Sequence, residues 1–175
     1  MLRLPVTATL RTQTVRFGLP PAAAETYRGA MAYRFQVVVD SRDPHAQADW
    51  WAETLGWTVE PSDEDFIRSM VAQGYATEAE TATHHGVLVW ASAQAICPPD
   101  QVGSKERQRF LFQAVPEGKT VKNRVHWDVR LDGDDKDAVR AKLEARGATF
   151  LWEGHEGPHG WYTMADPEGN EFCIS

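Results

Sequence analysis

Hydrophobic and polar residues alternate in two segments of the chain that lie 90 residues apart. In residues 33–40 the apolar side chains of Phe35, Val37 and Val39 share one face, and in residues 123–130 every second residue is again apolar. A period of two residues is typical of a half-buried β-strand. The repeated pattern therefore predicts two strands at equivalent positions of an internal repeat.

A helix with matching start and stop signals follows each of these strands. In the first copy Asp43 is the predicted N-cap, Pro44 takes the first helical position and Gly56 ends the helix. In the second copy Asp134 or Asp135 caps the helix, and a glycine again ends it. Three further strands complete each copy, so the sequence predicts an α+β fold of two βαβββ modules. The predicted strands are Trp57–Glu60, Gly86–Ala91, Arg109–Val115, Ala148–Trp152, Gly160–Met164 and Glu171–Ile174.

The first copy contains an insertion, residues 61–83, that the second copy lacks. Apolar residues from Phe66 onward predict a short amphipathic helix that runs to about Gly74. This helix is either a lid over a binding site or a helix packed on the sheet edge. His84 and His85 follow it, and because adjacent residues of an extended segment point to opposite faces, we expect them at the surface rather than in one site.

Composition and charge narrow the class of protein. The chain has 175 residues, of which 42% are hydrophobic and 25% charged, and its formal net charge is -7. An acidic chain repels a phosphate backbone, and no apolar run is long enough to span a bilayer, so we expect neither a nucleic-acid nor a membrane partner. Two cysteines without a C-x-x-C spacing suit a cytoplasmic protein. Residues 1–30 are interpreted as an extension, either disordered or preceding the true start, and residues 31–175 as the domain.

The two copies, with modules at about residues 31–116 and 121–175, end in the turn sequence Asp166-Pro167-Glu168-Gly169-Asn170. Together with the strings in residues 35–40 and 115–126, they resemble the glyoxalase-like domain proteins of the vicinal oxygen chelate superfamily, which also contains bleomycin-resistance proteins and extradiol dioxygenases. The resemblance implies that the two sheets form a half-open barrel around a small-molecule site.

The resemblance also implies a ligand set for a divalent metal, taken from the first and last strands of each module. Carried onto this chain, that set is Gln36 and Gln113 from the first module and His126 and Cys173 from the second. Both carboxylates of the usual set are missing, which leaves little charge compensation for a hard cation. No cofactor is therefore favoured; a divalent metal, if one is bound, would use these four residues.

Two other pairs of side chains are candidates for the site. His126 and Asp128 lie two apart on one strand and point the same way, as a proton shuttle and its orienting carboxylate would; a satisfied polar pair explains them equally. Trp90 and Trp161, on middle strands, either fill the core or line the cavity, where they would favour an aromatic ligand.

The sequence thus predicts a cytoplasmic protein, monomer or homodimer, that binds a small molecule in an inter-module cavity without a tightly bound metal. Gln36 and Gln113 would hold ligand oxygens, and His126 would carry any catalysis. Two alternatives stay open: a metal-dependent lyase, isomerase or dioxygenase, and a drug-sequestering resistance protein without turnover.

Overall fold

The computed structural model describes residues 34–175, so the predicted extension, residues 1–30, lies outside the described residues. The fold below is that of residues 36–175, which form one compact unit. Its helices are α1 (Pro44–Leu55), α2 (Glu64–Ala72) and α3 (Lys136–Ala145). Its strands are β1 (Val37–Ser41), β2 (Thr58–Val59), β3 (Thr81–His84), β4 (Val87–Trp90), β5 (Ala93–Cys97), β6 (Phe110–Ala114), β7 (Asp128–Val129), β8 (Thr149–Glu156), β9 (His159–Ala165) and β10 (Glu171–Ile174).

Two four-stranded sheets have the same strand order, which confirms the internal repeat. The first sheet runs β1-β6-β5-β2 and the second β7-β10-β9-β8. In each sheet the first strand of the module pairs in parallel with the last, and the other neighbours are antiparallel. The α+β fold with two half-open modules is therefore confirmed.

The helix signals in the sequence also correspond to observed caps. The Asp43 side chain accepts a hydrogen bond from the backbone N–H of Ala46, and Gly56, with φ of 64°, ends α1 in the left-handed region. Of the two candidate caps for α3, Asp135 is the one that accepts backbone hydrogen bonds.

The first module differs from the prediction at its third strand. Residues 87–90, expected to enter the sheet, instead form a two-stranded hairpin with β3, and the third strand of the sheet is β5. The hairpin turn consists of His85 and Gly86, both with positive φ, which is the geometry of a tight type I′ turn. Helix α2 precedes the hairpin and is tied to it, because the Glu64 carboxylate accepts the backbone N–H of Leu88.

The hydrophobic core lies on one face of each sheet, where the helices pack. Val39 and Phe112 point into it, whereas Val38 on the opposite face is 47% exposed. Trp51 of α1 reaches across to the second module, with its ring 5.0 Å from that of Phe172 and in an edge-to-face arrangement. The core is therefore shared by both modules. We call the face of each sheet that lies opposite the core its open face.

The turn at residues 166–170 locks the second module onto α1. The buried Asp166 carboxylate accepts hydrogen bonds from Gln47 Nε2 (2.7 Å) and Trp51 Nε1 (3.1 Å), both on α1. The Glu168 carboxylate accepts from Ser41 Oγ and from two backbone N–H groups just before α1. The turn predicted to link two strands thus also joins the modules. None of the helices in residues 34–175 has the length and apolar character of a membrane span.

Candidate functional site

The open face of module 2 brings together three side chains of different chemistry. Asp128 on β7 lies directly opposite Cys173 on β10, so their side chains share one face. His126, two residues before Asp128, places its Nε2 3.6 Å from Asp128 Oδ1. One donor atom from each of these three residues lies within 4.8 Å of the others. The histidine and the aspartate are each about half exposed, so the cluster is open to solvent.

The thiol of Cys173 is held in its neutral form. Burial raises its pKa above 9.0, the negative charge of Asp128 adds to the rise, and the hydrogen bond with Thr163, at 3.6 Å, opposes it. Because the thiolate is the nucleophile and the metal ligand, this thiol is unreactive at neutral pH unless a cation offsets the cost of deprotonation. Its raised pKa therefore favours a spectator role in a metal-free protein.

Two tryptophans extend this face towards the outer strands. Trp161 alternates with the core residue Tyr162 on β9, so it shares the face of Thr163 and Cys173. Its indole lies over Gly154, where an added Cβ would come within 2.5 Å of the ring. Gly154 thus provides the space that lets the ring lie on the sheet.

Trp152 joins the same face because of a bulge in β8. Phe150 lies opposite the core residue Met164, and after a register shift Trp152 lies opposite Thr163. Simple alternation would place residues 150 and 152 on one face, which is why sequence reasoning missed Trp152. Trp152 is 47% exposed, and the Lys122 ammonium lies 5.6 Å from its ring centroid. The open face of module 2 is thus defined by His126, Asp128, Trp152, Trp161, Thr163 and Cys173.

The open face of module 1 carries a network of paired charged side chains. The Glu60 carboxylate is hydrogen-bonded by Arg107 Nε and, at 3.0 Å, by Arg109 Nε. Burial raises the pKa of Glu60, but the hydrogen bonds and charges of the two arginines outweigh it and lower the pKa below 4.5. Cys97 beneath them is fully buried, and its pKa is raised by burial and by Glu60. The three side chains are paired with one another, and the two arginines against one glutamate leave a net positive charge.

The two predicted glutamines lie at different ends of the strand pair β1–β6. Gln36 precedes β1, and its side-chain oxygen accepts a hydrogen bond from Arg109 Nη1 (2.7 Å). Gln113 is exposed and lies opposite Asp40, at the other end of β1. The register of the repeat explains the separation: Asp128 corresponds to Val38, and Val38 pairs with Leu111. The module 1 equivalent of Cys173 is therefore the apolar Leu111.

Trp90, the other predicted aromatic residue, lies on β4 in the hairpin and not in either four-stranded sheet. Its backbone oxygen accepts a hydrogen bond from His45 Nε2 of α1 (3.1 Å). The structure thus brings together His126, Asp128, Trp161 and Cys173, whereas Gln36, Gln113 and Trp90 belong to other parts of the first module. The predicted roles of all seven stay predictions.

Comparisons with known proteins agree with this architecture. A family model described as a glyoxalase-like domain matches residues 36–175. The chain belongs to this glyoxalase-like domain family. Among curated proteins, none matches the sequence.

Solved structures share the fold at low sequence identity. The fosfomycin resistance protein FosX from Mesorhizobium loti is similar, with a TM-score of 0.53 and 8% identity over 83% of this chain and 91% of that one. FosX from Listeria monocytogenes gives a TM-score of 0.52 and 6% identity over 83% and 93% of the two chains. A possible glyoxalase from Bacillus cereus gives 0.50 and 12% identity over 83% and 98%.

The resemblance implies a divalent metal, and the side chains present show which residues would fit one. Module 2 offers an imidazole, a carboxylate and a thiol within reach of one another, a donor set that suits Zn²⁺. His126, Asp128 and Cys173 would hold such an ion, which would act as a Lewis acid towards ligand oxygens. Of the two predicted amide ligands, Gln36 accepts a hydrogen bond from Arg109, and Gln113 lies on β6 of the first sheet, opposite Asp40 in the strand register. The fit is thus to three residues of module 2 and not to the four-residue set.

Proposed function

We propose that the protein binds a small molecule with an aromatic or planar group on the open face of module 2. The observation that carries the proposal is the joint presence of two tryptophan rings and a His–Asp–Cys cluster on one accessible sheet face. Trp152 and Trp161 would contact the planar part by stacking, and the polar cluster would orient its substituents. Enclosure of the ligand in an inter-module cavity is part of this proposal.

If the bound molecule is transformed, His126 is the proposed proton shuttle. Its Nε2 lies 3.6 Å from Asp128 Oδ1, which is longer than a hydrogen bond but short enough for a small side-chain rotation to close. The carboxylate would then hold the ring in one tautomer while the other ring nitrogen exchanges a proton with the ligand. Both groups are accessible, as proton exchange with a ligand requires.

A metal-dependent lyase, isomerase or dioxygenase is the second candidate function, favoured by the three convergent donor atoms of the same face. The similar FosX proteins and the possible glyoxalase carry names of resistance and glyoxalase function, and sequestration of a drug without turnover is the third candidate. All three functions would use the same sheet face, so one set of variants tests them.

The first test is a screen of small aromatic molecules by quenching of tryptophan fluorescence, with the full chain purified without chelator. We expect His126→Ala to weaken binding about tenfold, the equivalent of about 1.4 kcal/mol. His155→Ala, a change of an exposed histidine on the opposite face of β8, is the matched control and should leave binding unchanged. Equal affinity for both variants would contradict the proposed site.

Elemental analysis and time courses then separate the candidates. About one Zn, Fe or Mn per chain, lost in His126→Ala, would make the metal-dependent enzyme the leading function. Disappearance of the bound ligand with time distinguishes a catalyst from a sequestering protein.

A further inference from the structure

A second cluster of donor atoms lies away from the open faces, where the β3–β4 hairpin meets α1. His84 Nε2 and His85 Nε2 both contact the same carboxylate oxygen, Asp49 Oδ2, at 2.8 Å and 2.7 Å. Asp49 projects from the middle of α1, whereas both histidines come from the end of the hairpin. Within residues 34–175, this group and the cluster of module 2 are the two sets of three such residues close enough to share an ion.

The turn conformation is what allows both histidines to reach one point. His85 has φ of 48°, one of only two positive values among the non-glycine residues described. In an extended strand the rings would point to opposite faces, but this backbone turns the second ring back, so the two ring centroids are 4.1 Å apart. Glycine or asparagine adopts such a conformation at lower cost than histidine. The conformation is uncommon for a residue other than glycine, and here it brings the His85 imidazole to the Asp49 carboxylate.

A third imidazole stands beside this pair. His45 on α1 is 7% exposed, and its ring centroid lies 5.0 Å from that of His84. Its Nε2 must donate its hydrogen bond, because the partner, the Trp90 carbonyl, can only accept. In the neutral ring Nδ1 then carries a lone pair, and this buried atom has no partner within the described part of the chain. The cluster therefore lies beside a buried acceptor that has no donor in the described part of the chain.

We propose that Asp49, His84 and His85 bind one divalent ion of the Zn²⁺ type, which fastens the β3–β4 hairpin to α1. Two imidazoles and one carboxylate are a donor set that Zn²⁺ and its first-row neighbours prefer. With bonds of about 2.0–2.1 Å, ligand atoms around tetrahedral zinc are about 3.3 Å apart, so the present separations need to widen by about half an ångström.

The cluster is also accessible to an ion. The side chain of His85 is 75% exposed, while those of His84 and Asp49 are 26% and 35% exposed. An ion could enter from solvent and bind Nε2 of both imidazoles when each neutral ring carries its proton on Nδ1, with a fourth position kept for water. The competing arrangement consists of the two histidine–aspartate hydrogen bonds alone, with no ion.

The test compares Zn²⁺ affinity of the chelator-stripped full chain with that of His85→Asn, by isothermal titration calorimetry. Asparagine keeps the left-handed turn, and the Asn-Gly dipeptide that results favours a type I′ turn, so the metal-free variant should melt at the same temperature or higher. We expect Zn²⁺ to bind at least tenfold more weakly to this variant and to Asp49→Asn. His155→Ala, which changes another exposed histidine, should bind like the unaltered chain.

Cobalt(II) identifies which cluster holds the ion. A site of Asp49, His84 and His85 gives ligand-field absorption without a thiolate charge-transfer band, whereas a site containing Cys173 adds that band. The proposal requires a stoichiometric, band-free cobalt signal that persists in Cys173→Ser and disappears in His85→Asn. It is overturned if His85→Asn binds zinc as tightly as the unaltered chain, or if all binding is lost with His126 or Cys173 instead.

Discussion

The two sheets have the same strand order, yet their open faces differ in character. On module 1, Glu60 is paired with two arginines over a fully buried Cys97. On module 2, His126 and Asp128 are half exposed beside Cys173. The same strand order thus supports a closed electrostatic network in one copy and an accessible cluster in the other. The repeat determines where side chains project, and the individual residues determine whether a face is available to a ligand.

The largest effect is expected from removing the hydrogen bonds by which the turn at residues 166–170 joins the second module to α1. Asp166→Ala leaves the buried donors of Gln47 and Trp51 without an acceptor and removes the acceptor that shapes its own turn. We expect the free energy of unfolding to fall by about 3–5 kcal/mol. Denaturant unfolding followed by tryptophan fluorescence measures it. The exposed Asp134→Ala is the control, with an expected change within about 0.5 kcal/mol.

The form of the unfolding curve is as informative as its midpoint. Because both modules share one hydrophobic core, we expect them to unfold together in one cooperative transition. Two separate transitions in the unaltered protein would show that the modules unfold independently and that the comparison concerns two domains.

An intermediate effect on the free energy of unfolding is expected from breaking the charged network of module 1. Glu60→Gln removes the negative charge between Arg107 and Arg109, and since hydrogen bonds to charged groups contribute about 1.5–3 kcal/mol, we expect a loss of about 2 kcal/mol at neutral pH. Ligand binding on module 2 should not change. A comparable loss of ligand binding would show that the charged network around Glu60 itself contributes to the site.

The lowered pKa of Glu60 also gives this loss a pH dependence. A carboxyl group whose pKa is lower in the folded state stabilises the fold above its unfolded value, near 4.5, and loses that contribution as the pH falls through the folded value. The stability difference between the unaltered protein and Glu60→Gln should therefore be full at pH 7 and shrink below about pH 4.5. Unfolding curves at pH 7, 5 and 3.5 check this.

Much of the fold could be predicted from the sequence, because the information is local and repeated. Alternation located the first strand of each module, although the strands observed, Val37–Ser41 and Asp128–Val129, are shorter than predicted; Asp43 with Gly56 gave the bounds of α1 within a residue. The third strand of module 1 was misplaced because residues 87–90 alternate as well as a sheet strand does. Their pairing with β3 depends on the tight turn at His85, whose positive φ no periodicity reveals.

The candidate site was partly predictable for the same reason. His126 and Asp128 follow from the alternation in residues 123–130, although His126 precedes the strand observed, Asp128–Val129. Trp152 depends on a bulge, and the position of Gln113 depends on pairing between distant strands. A shift of one residue in a bulge or of two in the register moves a side chain off the site without changing the local pattern.

The smallest expected effect concerns the reactivity of the two thiols, one of which lies in each module. Burial raises the pKa of both, so reaction with an exposed-thiol reagent should be slow at pH 7 and accelerate about tenfold per pH unit up to about pH 9. Cys173, on the open face, should react before Cys97, which should react only on unfolding. Mass spectrometry of the labelled protein, with Cys97→Ala and Cys173→Ala as references, assigns each rate. Added Zn²⁺ that protects Cys173 would favour the metal-dependent function, whereas zinc that leaves its rate unchanged while binding stoichiometrically would place the ion elsewhere, as the cluster of Asp49, His84 and His85 requires.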